Sequence, residues 1–139
     1  MGDVAINMSG VGMIIVDDDP AIRDILRSLV EGLGADVLAE ADNGRGAIEE
    51  AERHRPQLML LDVSMPVMGG FPAVRYLREH IPELRIILVS QHNQKIYADE
   101  AMQLGAKGYV VKAAVATELG PAIHTVMNGG TFVSSRIAA

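Results

Sequence analysis

Short apolar runs alternate along the chain with stretches in which apolar positions recur every three or four residues. Residues 11–16, VGMIIV, are rich in β-branched side chains and predict a central parallel strand covered on both faces. Pro20 then opens a helix at the position where a missing N–H costs nothing. Ile22, Ile25, Leu26, Leu29, Val30 and Leu33 keep helical spacing until Gly34 ends it. Residues 35–40 predict a second, weaker strand, and Ala47, Ile48 and Ala51 a helix entered near Asn43 and stopped before Pro56. Residues 58–61, LMLL, form a third strand that ends abruptly at Asp62. A loop with Pro66, Gly69 and Gly70 leads into a helix through Val74, Leu77 and Arg78 that closes near Pro82. Residues 85–89 predict the fourth strand, 96–104 the fourth helix and 108–111 the fifth strand. The last helix spans 118–127, with Thr117 as N-cap and Pro121 placed in its first turn, and stops at Asn128-Gly129-Gly130.

Successive strand–helix units imply an α/β fold: a doubly wound parallel sheet of five strands with helices on both faces, since right-handed crossovers lay each helix on the sheet. The pattern divides the chain into a flexible extension over 1–10, one domain over 11–130 and an exit segment over 131–139. With 139 residues, 49% of them hydrophobic, one core of this size removes roughly 68% of the unfolded chain's surface from water. Having no Cys excludes thiol nucleophiles, thiolate metal sites and disulfides. The apolar stretches fall far below the roughly 18 residues of a membrane span. The N-terminus lacks the basic flank of a secretory signal, and Ile6 stands where a myristoylation signal wants Ser or Thr. A cytoplasmic protein with no membrane partner is expected. The net charge of −6 would repel a phosphate backbone, so no nucleic acid is expected to bind this chain by itself.

Polar residues that interrupt the apolar runs collect at strand C-termini: Asp17, Asp18 and Asp19 after the first strand, Asp62 after the third, Ser90 after the fourth, Lys112 after the fifth. That edge is where open α/β sheets bind ligands. Two carboxylates about 4 Å apart repel by about 4 kcal/mol at an effective dielectric of about 20. Proton uptake, a cation such as Lys112, or a divalent metal can offset the repulsion. Carboxylate oxygens without His or Cys favour Mg²⁺ or Mn²⁺. A divalent ion, a lysine, a hydroxyl and a spare carboxylate together suit phosphoryl transfer. Taken singly, an Asp after a strand is more often a helix cap, and Asp19 before Pro20 fits that role. The joint placement at four of five strand ends is what favours a site. His54, His80, His92 and His124 show no metal-ligand spacing and read as surface residues. Asn43-Gly-Arg-Gly46 lacks the remaining features of a phosphate loop.

From about residue 11 to 127 the chain resembles the receiver domain of two-component response regulators. The resemblance rests on Ile14-Ile-Val-Asp-Asp18, Leu60-Leu-Asp-Val-Ser-Met-Pro66 with Gly69-Gly70, Ile87-Leu-Val-Ser90 and Lys107-Gly-Tyr-Val-Val-Lys112, in order. It implies a flavodoxin-like (βα)5 fold with strand order 2-1-3-4-5. It also implies that Asp62 is the phosphoacceptor for a sensor histidine kinase. Mg²⁺ (or Mn²⁺) would be held by Asp17, Asp18, Asp62 and the backbone carbonyl of Ser64. Lys112 would pair with the phosphoryl oxygens, the Ser90 hydroxyl would move toward them, and Tyr109 would turn inward afterwards. Such a domain catalyses only its own phosphorylation and dephosphorylation.

Some positions depart from the commonest family pattern. Lys112 is followed by Ala113 where many members have Pro, so a trans peptide is expected, a cis bond before Ala costing about 3 kcal/mol. The sequence from Glu118-Leu119 through Gly129-Gly130 to Phe132-Val133-Ser134 resembles the last helix and exit segment of NarL/FixJ-type regulators, in which a helix-turn-helix DNA-binding domain follows. The expected role is therefore the receiver part of a transcription regulator that pairs with a second copy on phosphorylation, through helices 1 and 5 or helices 4 and 5. A stand-alone receiver and a Mg²⁺-dependent aspartyl-nucleophile phosphatase are the alternatives. The phosphatases want a second acid where this chain has Ser64.

Overall fold

The computed structural model describes residues 6–138. The first five residues of the sequence-defined extension, and Ala139, lie outside them. One parallel sheet runs through the molecule, built from β1 (Gly12–Val16), β2 (Asp36–Ala41), β3 (Leu58–Leu61), β4 (Arg85–Ser90), β5 (Gly108–Val111) and β6 (Phe132–Val133). Its order is β2-β1-β3-β4-β5-β6. The helices are α1 (Pro20–Gly32), α2 (Gly44–His54), α3 (Gly70–His80), α4 (Lys95–Gln103) and α5 (Val115–Met127).

Strand residues alternate between two cores, as the two-residue period of a strand requires. Met13, Ile15, Leu60, Val89 and Val110 point toward α1 and α5, where Leu26, Val30, Leu119 and Ile123 meet them. Ile14, Met59, Leu61, Leu88 and Tyr109 point to the opposite face, against Ala47 and Ala51 of α2, Val74 and Leu77 of α3 and Ala98 and Ala101 of α4. Burial on both faces explains why β1, β3 and β4 read as unbroken apolar runs. Each fully buried Leu or Ile contributes about 1.5–3 kcal/mol.

Local signals set several helix starts. The Asp19 side chain accepts the Ala21 N–H at 2.9 Å, with Pro20 opening α1. Asn43 caps α2 by accepting the Gly46 N–H at 3.0 Å. Thr117 does not cap α5. A 3₁₀ turn at Lys112–Ala114 feeds the helix, which starts at Val115, and the Thr117 hydroxyl donates to the Ala114 carbonyl at 3.3 Å. Pro121 consequently stands inside α5 rather than in its first turn.

The sheet has six strands, not the five expected. The sixth comes from the exit segment, whose Phe132 and Val133 pair in parallel with Gly108 and Tyr109. Within residues 6–10, assigned by pattern to a flexible extension, Ile6 and Met8 pack against the α1/α5 core; Met8 is buried and its N–H donates to the Leu33 carbonyl at 2.8 Å.

Strand register positions the polar residues. Val16 stands opposite Leu61, so Asp17 and Asp62 leave neighbouring strands abreast, and the Asp62 N–H donates to the Val16 carbonyl at 3.0 Å. Ser90 pairs with Val111, which brings Lys112 to the same edge.

Candidate functional site

Asp17, Asp18 and Asp62 converge at the C-terminal edge of the sheet, with one carboxylate oxygen from each lying within 4.8 Å of the other two. Asp17 and Asp62 are buried, while Asp18 is exposed. A cavity of about 260 Å³ opens here, lined by Asp18, Asp19, Asp62, Ser64, Gln91 and Lys112. The Lys112 ammonium lies 2.8 Å from Asp17 Oδ2 and donates to Asp62 Oδ2 at 3.2 Å. One lysine thus faces three carboxylates, a deficit of positive charge that low-dielectric surroundings make costly.

The titration behaviour follows from this imbalance. Burial raises the Asp62 pKa above the usual carboxylate value; the Asp17 charge raises it further, and Lys112 only partly opposes the shift. For Lys112, burial works to lower the pKa, but the bond to Asp17 and the charges of Asp62 and Asp17 outweigh it and the net shift is upward. The two directions are compatible because the ammonium lies closer to Asp17 than to Asp62.

Backbone donors fix the carboxylates. The Asp19 N–H donates to Asp17 Oδ1 at 2.9 Å. The Arg23 guanidinium donates to the Asp17 carbonyl at 2.7 Å and is itself held by Glu40 at 3.0 Å. The Ser64 N–H makes a long bond to Asp62 Oδ1 at 3.4 Å. Gly70 is obligatory beneath the site, since a Cβ there would run into the Asp62 carbonyl oxygen. Asp17 Oδ2 is buried, and among the described residues the Lys112 ammonium at 2.8 Å is the one cationic group beside it. Three clustered carboxylates sharing a single ammonium, with oxygen as the only donor type, fit a hard divalent cation.

Ser90 is fully buried, and its Oγ accepts the His92 N–H at 3.1 Å. The Tyr109 ring is already turned inward and fully buried, with its hydroxyl donating to the His92 carbonyl at 2.8 Å. Burial raises the pKa of this phenol. Asp19 keeps to its capping role while lining the cavity mouth. The Lys112–Ala113 peptide is trans, and the lysine is placed by the 3₁₀ turn.

His92 is the residue that the pattern missed. Far from being an unattached surface histidine, it stacks on Tyr97 with ring centroids 4.2 Å apart, and its Nε2 lies 3.0 Å from Ser64 Oγ. It connects the loop after β3 with Ser90 and Tyr109. Arg23 was also passed over, because its spacing on α1 only marks it as polar.

Three comparisons bear on this arrangement. The sequence pattern of the response regulator receiver domain matches residues 13–124. Among curated proteins, the chemotaxis protein CheY of Bacillus subtilis is 34% identical, over 84% of this chain and 97% of its own length. The response regulator GacA of Pseudomonas aeruginosa is 33% identical, over 92% of this chain and 60% of its own. This chain spans 56% of the transcriptional regulatory protein DegU of Brevibacillus brevis, at 28% identity. A crystal structure of a LuxR-family two-component response regulator from Aurantimonas sp. SI85-9A1 shares the fold at a TM-score of 0.88, with 32% identity and 93% of each chain covered. With the carboxylates, lysine and buried serine gathered at the sheet edge, and with this match over most of its length, the chain belongs to the response regulator receiver domain family.

Proposed function

We propose that Asp62 accepts a phosphoryl group from a phosphohistidine of a sensor histidine kinase in the cytoplasm, and that the resulting change of surface carries the signal. The observation that supports this most directly is the Lys112 ammonium set between Asp17 and Asp62 at the mouth of an acidic cavity. An Asp62 oxygen attacks phosphorus; the O–P bond forms, the P–N bond of the phosphohistidine breaks, and its electron pair leaves with the imidazole. No base is required, because a carboxylate is the nucleophile. Asp17, Asp18, Asp62 and the Ser64 carbonyl would hold Mg²⁺, or Mn²⁺, which when bound neutralises phosphoryl oxygens and fixes their orientation.

The remaining work falls to the chain's own groups. Lys112 moves its pairing from the Asp62 carboxylate to a phosphoryl oxygen, a charge-assisted bond stronger than a neutral one. The Ser90 hydroxyl turns to donate to another phosphoryl oxygen. Because Ser90 also holds His92, and His92 holds Tyr109, that movement shifts the loop after β4. The readers of the new surface are a second copy of the chain and, in a full-length regulator, a DNA-binding output domain. The chain modifies only itself and turns over no separate substrate.

A small phosphodonor such as acetyl phosphate with Mg²⁺ should produce a hydroxylamine-sensitive adduct of one phosphoryl group, observed by intact mass, which Asp62→Asn abolishes. Persistence of the adduct in that variant would place the acceptor elsewhere and sink the reading.

A further inference from the structure

We propose that residues 132–138 form a strap that ties the loop after β4 to α5, and that phosphorylation of Asp62 releases it. The inference rests on the phosphoacceptor reading and concerns how that site is regulated. The segment wraps the edge of the sheet from one face to the other. Phe132 packs with the α1/α5 core, whereas Ile137 packs with the core on the opposite face. Between them the Ser134 N–H donates to the Tyr109 carbonyl at 2.8 Å, and Ser134 itself is buried. At its far end the Ala138 N–H donates to the Asn93 carbonyl at 2.8 Å, and Ala138 bridges to Gln94.

A latch on α5 holds the middle of the strap. Glu118 accepts the hydroxyls of Ser134 and Ser135 and, at 3.1 Å, the Ser135 N–H. The strap therefore grips both sides of the switch: β5 through the backbone of Tyr109, and the loop after β4 through Asn93, next to the His92 that binds the Ser90 and Tyr109 side chains. Drawing Ser90 toward a phosphoryl group pulls His92 and Asn93 relative to β5. The strap cannot follow both anchors, and the bond from the exposed Ala138 N–H to the Asn93 carbonyl yields before the Glu118 latch does. Linkage makes the effect reciprocal: if loading the site loosens the strap, cutting the strap must favour the loaded site.

The test uses beryllofluoride with MgCl2 as a reversible phosphoryl mimic on the whole chain, its binding read by ¹⁹F NMR and strap protection by hydrogen exchange with mass spectrometry. Loading should speed exchange in peptides covering 134–138 and 92–94 by about tenfold. Glu118→Gln and, separately, the milder Ser135→Ala should speed strap exchange without the mimic and tighten its binding by about fivefold, within the usual range of coupling between sites. Bound beryllofluoride with unchanged strap exchange would overturn the strap while leaving Asp62 as acceptor. Unchanged affinity in both variants, once their strap exchange has risen, would overturn the coupling. Failure of the mimic to bind the wild-type chain at all would overturn the phosphoacceptor reading, and the strap's release with it.

Discussion

Asp62 is held at a cost to the fold. Its carboxyl is buried beside Asp17, and the folded chain raises its pKa above the unfolded value. The folded state then binds a proton more tightly than the unfolded state, so stability falls as pH rises through the folded pKa. Asp62→Asn removes that charge at nearly constant shape. Without divalent metal at pH 7 it should raise Tm by a few degrees, on a scale where about 1 kcal/mol moves Tm by roughly 4 °C. The advantage should shrink as pH is lowered through the folded pKa toward the unfolded one, where the wild-type carboxyl takes up its own proton. Thermal melts over a series of pH values descending from 7 check both statements, and an Asn variant that melts lower at pH 7 would contradict them. At this scale the sequence was informative wherever a polar residue cut short an apolar run, as at Asp17, Asp62, Ser90 and Lys112. His92 carries no such mark, because its role comes from a ring partner on α4 and a serine on another loop.

Elements show where local chemistry suffices. Asp19 and Asn43 cap α1 and α2 as their sequences suggest, since a cap involves only its own side chain and N–H groups two or three residues on. The start of α5 escaped that logic: its leading turn is Lys112–Ala114, and the Lys112 ammonium is anchored to Asp17 and Asp62, which follow β1 and β3. In the loop after β3, Val67 holds φ at +68° and is 79% exposed, so a β-branched residue sits in the left-handed region with little packing in return. Val67→Gly should stabilise the chain by about 1 kcal/mol, the relief of backbone strain exceeding the added unfolded-state entropy. The midpoint of urea unfolding measures it, and a lower midpoint would show that Val67 is not strained.

For the whole molecule, a ligand that binds only the folded state adds stability by mass action. Mg²⁺ at ten times its Kd should contribute about 1.4 kcal/mol. The wild-type melting temperature should therefore rise with MgCl2 and saturate, while Asp17→Asn should lose most of the response. An equal rise in that variant would exclude Asp17 as a ligand. Apolar periodicity alone determined the alternation of strands and helices and the two-faced sheet, because burial on both sides demands unbroken apolar strands and one-sided helices. Strand order came from resemblance to a family, since a parallel strand carries no local record of its neighbours. The sixth strand was decided by tertiary structure: Phe132 and Val133 have too short a pattern to announce themselves and become a strand only because β5 presents an open edge. The same holds for the pairing of Lys112 with Asp17 and Asp62. Sequence supplied the charges, but their distances depend on strand register, and register is a property of the packed sheet.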